Sequence, residues 1–176
     1  DQSLIKQYID YLGQLLTFDL GSSLASQGQT VWQIIGDHFP ATVELTLCGM
    51  IIAAMVGLTV GSIAASRPNT IFDAGGRVFG IVTYAVPMYW FGMILQLIFA
   101  VQLNWFPIGT RFPLSASPPA GPTGLYLLDS LLHFDFAQFG TTIYYLALPS
   151  LTLGVLISGV FERIVRVNLR QTLKAD

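Results

Sequence analysis

The side chains that could perform chemistry are few and scattered along this chain of 176 residues. Its two histidines, His38 and His133, are far apart in sequence, and no cluster of further metal ligands is apparent beside either. Asp129 and Asp135 are six residues apart, a spacing that does not place two carboxylates on one helical face. The single cysteine, Cys48, cannot form an internal disulfide. We therefore expect no catalytic residue, no metal site and no cofactor.

The sequence also lacks the short motifs of common enzymes. It contains no G-x-x-x-x-G-K-[ST] loop, so we expect no ATP site of that kind, and it contains no G-x-S-x-G, H-E-x-x-H or C-x-x-C pattern. Eight basic and ten acidic residues give a formal net charge of −2. Binding of nucleic acid needs a basic patch, which this composition does not supply. These observations argue against an enzyme and against a nucleic-acid-binding protein.

Two prolines within apolar stretches mark the residues best suited to line a solute pathway. An interior proline frees a backbone carbonyl and bends a helix. In a membrane that carbonyl needs another polar partner. Plain core packing of the side chains around these prolines is the alternative. The predicted pathway-lining residues are Tyr84, Pro87, Tyr89, Trp90, Pro149 and Ser150.

Long apolar helices must position these residues. Hydrophobic residues make up 53% of the chain and charged residues 10%, against about 25% charged in ordinary soluble domains. Three stretches without a charge are long enough for helices of about 20 residues that cross a bilayer. A soluble helical domain with an apolar surface is the alternative. We predict transmembrane helices near residues 42–65, 79–103 and 142–161.

The few charges are sorted between the two ends of these helices. Lys and Arg concentrate on the cytoplasmic side of membrane proteins. We therefore place residues 66–77 and 162–176 in the cytoplasm, and residues 1–41 and 104–141 outside. Six of the ten acidic residues fall in these outer segments, and a seventh, Glu44, stands near the outer start of the first span. The predicted cytoplasmic positive flank consists of Arg67, Arg77, Arg163, Arg166, Arg170 and Lys174.

The residues before the first span contain several further patterns. Apolar side chains recur at helical spacing over 3–17, which predicts an amphipathic helix. A Gly- and Ser-rich loop is expected over 18–29. Thr30 is placed to cap a second, short helix. Pro40 then stands at the entry of the first membrane helix, where its missing N–H costs little.

The proline-rich segment 104–141 is expected to be a long outer loop, with a short helix over 125–133. We accordingly divide the chain into an outer amphipathic segment, 1–40, and a partial transmembrane domain, 41–176. The domain ends in a basic cytoplasmic helix over 162–176.

Small residues form a stripe along the first span. They recur every four residues and allow close approach of another membrane helix. That partner helix could also lie outside the 176 residues of this sequence. General enrichment of glycine in membrane helices is the alternative. The predicted packing residues are Ala53, Gly57, Gly61 and Ala65.

Glu44 lies near the start of the same span, where it favours the helix dipole. Pairing with a substrate or a neighbouring helix is the alternative role. We see no clear charge within the three spans, which argues against a proton-relay pump.

Several segments carry a family resemblance in their order and spacing. They are Phe18–Leu24, Phe39–Leu45, Leu58–Ala65, Val86–Gly92, Leu103–Pro107 with Gly109, and Leu148–Gly154. With the basic helix beyond them, they resemble the inner-membrane permease subunits of bacterial ABC importers for dipeptides, oligopeptides and nickel. Phe18 stands where the family pattern has glycine, and Met88 and Tyr89 replace its usual small residue and Phe.

The resemblance implies an all-α polytopic membrane fold of about six transmembrane helices. This chain would then be an internal fragment that supplies the second, third and fourth helices, with one before Asp1 and two after Asp176. A coupling segment for the ATPase is expected just beyond Asp176, so these residues alone are not expected to transport.

The resemblance also implies a function and a location. The protein would be the transmembrane pathway subunit of an ATP-driven importer for peptides or related small solutes, in the bacterial inner membrane. Its partners would be a homologous second permease subunit, two ATPase subunits, an extracytoplasmic substrate-binding protein and the lipid bilayer. An integral membrane channel, or a scaffold subunit of another class, is the alternative.

Overall fold

The computed structural model describes residues 3–23, 26 and 28–175. Its helices are α1 (Leu4–Leu16), α2 (Val31–Ser66), α3 (Ile71–Ala85), α4 (Met88–Leu95), α5 (Tyr126–Leu132) and α6 (Phe136–Ala175). A π-helix, Gln96–Gln102, continues α4. Over the described ranges the only extended pairing is an isolated bridge between Ser22 and Thr30. The predicted all-α class is confirmed. Leu24, Ala25 and Gln27, in the predicted loop over 18–29, lie outside the described residues.

Residues 1–41 and 42–176 form two compact units, which are described separately. In the first unit, α1 occupies most of the amphipathic stretch predicted over 3–17. The hydroxyl of Ser3 accepts a hydrogen bond from the Lys6 N–H at its start. No residue of α1 is buried, so its apolar face is uncovered within this unit.

Helix α2 begins with a reciprocal cap. Thr30 Oγ1 accepts from the Gln33 N–H at 3.2 Å, and Gln33 Oε1 accepts from the Thr30 N–H at 2.9 Å. These two bonds satisfy amide groups that a helix start otherwise leaves free. The helix then continues through Pro40 to Ser66 without interruption. The prediction of a separate short helix before Pro40 is therefore wrong, and α2 is about 54 Å long.

Between α3 and α4 the chain turns through 100°. Val86 is extended, and Pro87 is the N-cap of α4, where its missing N–H leaves no helical bond unmade. The prediction of one kinked helix near 79–103 is therefore wrong. The span is broken, begins earlier at Ile71 and ends in the π-helix.

Helix α6 is the longest element. Asp135 caps its start by accepting from the Gln138 N–H at 3.0 Å. The helix continues through Pro149 for 40 residues, about 60 Å. The transmembrane helix predicted near 142–161 and the basic helix predicted over 162–176 are thus one continuous element.

Of the described helices, α2 and α6 are long and apolar enough to cross a membrane, and α3–α4 makes a third if the bent pair is counted as one span. Contacts show that the bent pair follows α6 along its length. Asp73 pairs with Arg170, Thr83 packs on Gly159, and Gly92 faces Thr152. The pair therefore runs antiparallel to α6 in spite of its break.

Helix α2 runs parallel to α6 instead. A Cβ added to Gly49 would lie 3.0 Å from Leu153 Cγ, and one added to Gly61 would lie 3.0 Å from Val165 Cβ. Because α6 also contacts α5, it touches all four other α-helices of residues 42–176, α2 to α5.

Candidate functional site

A cavity of about 370 Å³ lies between α2, α4, α6 and residues 107–110, which we call the wall segment. This volume is within the usual range for sites that hold small molecules, about 300–1,000 Å³. The lining residues are Leu45 of α2; Met88, Tyr89 and Gly92 of α4; Gln96; Pro107, Ile108, Gly109 and Thr110; and Tyr145, Leu148, Pro149, Thr152 and Leu153 of α6.

The broken span places α4 against this cavity. Gly92 allows the backbone of α4 close to α6, because a Cβ there would lie 3.2 Å from Thr152 Cγ2. Gln96 begins the π-helix, and its amide nitrogen donates to the Ile108 carbonyl. Stretches of π-helix occur frequently at functional sites. One side chain therefore joins the end of α4 to the wall segment.

The cavity is mainly apolar and carries hydroxyl and amide groups. Tyr89, Gln96, Thr110, Tyr145 and Thr152 supply its polar side chains, and its described lining has no acidic or basic residue. No group of three His, Cys, Asp or Glu residues placed to hold a metal occurs in the described part of the chain. The arrangement suits contact with a small solute and offers no pair of groups for acid–base catalysis.

The residues predicted to line a pathway are only partly brought together. Tyr89 and Pro149 line the cavity, and Pro87 caps α4 next to the lining residue Met88. Tyr84 and Trp90 are exposed, with 90% and 49% of their surface accessible. Ser150 is buried, and its hydroxyl has no hydrogen-bond partner among the described residues.

An ion pair between a buried carboxylate and a partly exposed arginine lies at the rim of the cavity. The Glu44 carboxylate accepts from Arg111 Nη2 at 2.8 Å and from Arg111 Nε at 3.3 Å. The interpretation of Glu44 as a helix-start residue is wrong, because α2 already begins at Val31. The sequence held one signal for the pair: Arg111 is the single basic residue in the segment 104–141.

The same pair connects α2 to α5. Glu44 Oε1 accepts from the Leu127 N–H at 2.6 Å, in the first turn of α5. Arg111 Nη2 also donates to the Gly124 carbonyl at 2.8 Å, and its guanidinium lies 3.6 Å from the centre of the Tyr126 ring. Three parts of the fold therefore meet at one charged pair.

The small-residue stripe of α2 faces α6 of the same chain. Ala53, Gly57, Gly61 and Ala65 are all buried. A Cβ added to Gly57 would lie 2.6 Å from the Ser158 carbonyl oxygen, and one added to Gly61 would lie 2.8 Å from the Glu162 carbonyl oxygen. The helix that covers this face is therefore within these residues.

Glu162 lies fully buried where α2, α3 and α6 meet. Its Oε1 accepts from Arg166 Nε at 2.7 Å, whereas Oε2 has no hydrogen-bond partner among the described residues. Sequence reasoning missed this carboxylate, because it stands one residue beyond the charge-free stretch that ends at Phe161. Glu162 also lies just outside the predicted span 142–161, so the expectation of no clear charge within the spans stays a prediction.

A second buried carboxylate joins α3 to α6. Asp73 is fully buried; it pairs with Arg77 at 3.3 Å on its own helix and with Arg170 on α6. Asp73 Oδ2 also accepts from the Asn69 N–H at 3.3 Å. Two residues of the predicted positive flank are thus held by one acidic residue.

The remaining residues of that flank are placed differently. Arg67 lies 4.6 Å from the centre of the Phe72 ring. Arg163 is exposed. The side chain of Lys174 lies outside what the structure describes.

The model of one protein family, described as the binding-protein-dependent transport system inner membrane component, matches residues 57–176. The chain belongs to this family. The matched residues include α3, α4 and α6, and with them most of the cavity lining and the Glu162 junction. The resemblance drawn from the sequence is confirmed, and the chain is a membrane protein.

Curated relatives within this family are similar along the chain. The di/tripeptide transport system permease protein DppB of Pseudomonas aeruginosa is 35% identical over 178 residues, which cover 100% of this chain and 52% of the relative. The dipeptide transport system permease protein DppB of Escherichia coli K12 is 31% identical, with the same coverage. The oligopeptide transport system permease protein AppB of Bacillus subtilis is 29% identical, with 97% and 48% covered. The chain spans about half the length of these relatives.

Proposed function

We propose that this chain is part of the transmembrane pathway subunit of an ATP-driven importer for peptides or related small solutes. The observation that carries the proposal is the cavity where the broken span α3–α4 meets α6, in a chain of the binding-protein-dependent transport family. Broken helices are tolerated at membrane depth where they border a cavity or are buried in protein. A solute pathway is such a place.

The sorted charges support a multi-pass orientation in the bacterial inner membrane. Arg67, Arg77 and Arg170 fall at one end of the bundle, next to Asp73 and its loop. Glu44 and Arg111 fall at the other end. Under the positive-inside rule the arginine-rich end faces the cytoplasm. The cavity rim at Glu44 then faces outward.

The proposed partners follow from the family and from the chain's own composition. The sequence has no phosphate-binding loop, so we assign ATP hydrolysis to two partner ATPase subunits. A homologous second permease subunit would complete the pathway. An extracytoplasmic binding protein would deliver solute to the outward end.

The cavity chemistry is compatible with peptides as solutes. Its aromatic and aliphatic walls suit variable side chains, and its hydroxyl and amide groups suit a peptide backbone. Three of the relatives are named for di/tripeptide, dipeptide and oligopeptide transport.

The test is reconstitution of the full-length permease with its neighbouring permease, ATPases and binding protein in proteoliposomes. We expect the subunits to co-purify and solute to stimulate ATP turnover. A full-length permease that never co-purifies with an ATPase or a second permease contradicts the proposal and favours a channel or scaffold subunit.

A matched pair of variants links the function to the cavity. Thr152→Trp places a bulky ring in the cavity, whereas Thr59→Trp adds the same ring to an exposed position of α2. We expect Thr152→Trp to abolish solute-stimulated ATP turnover while the complex still assembles, and Thr59→Trp to retain it. Equal ATP turnover in both variants would show that the cavity is not part of the solute pathway.

A further inference from the structure

The two residues of the rim ion pair each stand next to a residue that lines the cavity. Glu44 precedes Leu45 of α2, and Arg111 follows Thr110 of the wall segment. The pair therefore spans the gap between α2 and the wall segment at the end of the cavity nearest Glu44. Deeper in the cavity, the lining passes to α4 and to residues 148–153 of α6.

The wall segment has few other attachments. In the described part of the chain, no backbone-to-backbone hydrogen bond outside the helices involves residues 107–110. Its ties are the Gln96 amide on the Ile108 carbonyl and the contacts of Arg111 at its end. Ile108 has 62% of its surface exposed, so packing fixes it weakly. Side chains, and not a regular element, hold this wall in place.

The backbone at the junction is strained. Thr110 has φ of +65°, a left-handed conformation that a β-branched residue rarely adopts. Such a conformation persists only where surrounding contacts impose it. The next residue, Arg111, contributes such contacts through Glu44, Gly124 and Tyr126, and the buried Phe112 that follows packs on the rings of Tyr126 and Tyr145. Release of Arg111 would remove part of the constraint on Thr110.

We propose that Glu44 and Arg111 are positioning residues for a movable wall, and that separation of their charges opens the cavity at this end of the bundle. The inference rests on the proposed function, in which this end faces outward. The pair then holds residues 107–110 closed between rounds of solute entry. Opening requires the loss of two hydrogen bonds between Arg111 and Glu44 at one carboxylate.

The experiment measures access to the cavity from outside. In the full-length permease, Cys48→Ser removes the native thiol of this chain, and Thr152→Cys places a reporter thiol on the cavity lining. A membrane-impermeant maleimide is added to the outer face of sealed vesicles of known orientation. The rate of labelling reports how often the wall segment opens.

Glu44→Gln is the decisive variant. Its amide oxygen can still accept from Leu127 N–H, while its amide nitrogen faces the Arg111 donors and cannot bond them. We expect labelling to rise about tenfold or more, because a charge-assisted hydrogen bond shifts an equilibrium by at least that factor. Glu162→Gln is the matched control, since it neutralises another buried, arginine-paired carboxylate away from the rim, and should leave the rate unchanged.

Two variants of Arg111 make the result independent of Glu44. Arg111→Gln should raise labelling as Glu44→Gln does. Arg111→Lys should restore part of the slow rate, because it keeps the charge but loses the forked contacts to Glu44 and Gly124. A general packing defect would not be rescued by lysine.

Labelling at the wild-type rate in both Glu44→Gln and Arg111→Gln would overturn the inference, as would an equal rise in Glu162→Gln. The assay uses no solute, ATPase or binding protein. Failure of solute-stimulated ATP turnover would therefore contradict the proposed function without changing the labelling result. A negative labelling result would likewise contradict the movable wall without affecting the proposed function.

Discussion

The carboxylate of Glu162 lies against the backbone of Gly80: a Cβ added to Gly80 would be 2.9 Å from Glu162 Oε2. On the preceding turn of α3, a Cβ at Gly76 would be 3.1 Å from Oε1 of the same carboxylate. Two glycines of α3 therefore leave the space that a buried acidic side chain of α6 occupies. This steric relationship gives the Glu162 side chain its space between the helices, and Arg166 pairs with its carboxylate.

Adjacent glycines of α3 offer a matched test of that packing. A Cβ at Gly76 would lie 2.6 Å from Ala64 Cβ, whereas a Cβ at Gly75 would meet nothing within 4 Å. We expect Gly76→Ala to reduce the free energy of unfolding by about 1–3 kcal/mol through overpacking. Gly75→Ala should be neutral or stabilise by up to about 1 kcal/mol, through helix propensity. Denaturation of the detergent-solubilised protein measures both, and equal effects would contradict the packing.

The Glu162–Arg166 pair makes a second prediction. Arg166→Ala leaves the buried Glu162 carboxylate without its arginine, which we expect to cost about 3–5 kcal/mol of unfolding free energy. The double variant Glu162→Ala with Arg166→Ala should be clearly more stable than Arg166→Ala alone, because no unpaired charge remains. A double-mutant cycle under the same denaturing conditions gives the coupling. Simple additivity of the two single changes would refute a paired role.

Backbone strain at Thr110 predicts a stabilising substitution. Thr110→Gly should raise the free energy of unfolding by about 1 kcal/mol. Glycine adopts positive φ without strain, and this gain outweighs the greater entropy of glycine in the unfolded chain. Thr110→Val keeps the β-branched side chain and should give no such gain. Thermal unfolding of the two variants side by side distinguishes them. A valine variant as stable as the glycine variant would mean that φ is not the cause.

The link between α3 and α6 at Asp73 is testable by hydrogen exchange. Arg170→Ala removes the partner on α6, whereas Arg77→Ala removes the partner on α3 itself. We expect faster amide exchange in the first turns of α3 for Arg170→Ala, because that helix loses its charged contact with α6. Arg77→Ala, whose guanidinium is half exposed, should change exchange much less. The opposite order would show that the contact within α3 is the more important one.

Charge patterning predicted the approximate positions of the two long helices α2 and α6, because burial in a membrane excludes charge over about 20 residues. It did not locate their ends. Helix α2 continues through Pro40 and α6 continues through Pro149, because proline removes one bond while the flanking turns remain intact. At Pro87 the same residue type accompanies a 100° break. A single sequence does not distinguish a tolerated proline from one that caps a new helix.

The sequence predicted residues of the candidate site only where a local sequence pattern marks them. Pro149 and Tyr89 belong to proline-containing apolar runs and do line the cavity. The two residues of the rim pair are 67 positions apart in sequence, and hydrophobic periodicity does not indicate contacts over that separation. Glu44 and Arg111 were visible as charges, but their partnership follows from tertiary structure alone.

The dependence of every neighbouring helix on α6 also sets an order for biosynthesis. Asp73 is translated about 100 residues before Arg170, a delay of about 5–20 s at ribosomal rates of 5–20 residues per second. Throughout that interval Gly57 and Gly61 have no α6 to cover them, and the Asp73 carboxylate has no Arg170. The packed state is therefore not reached one helix at a time. These helices pack against one another only after α6 has left the ribosome.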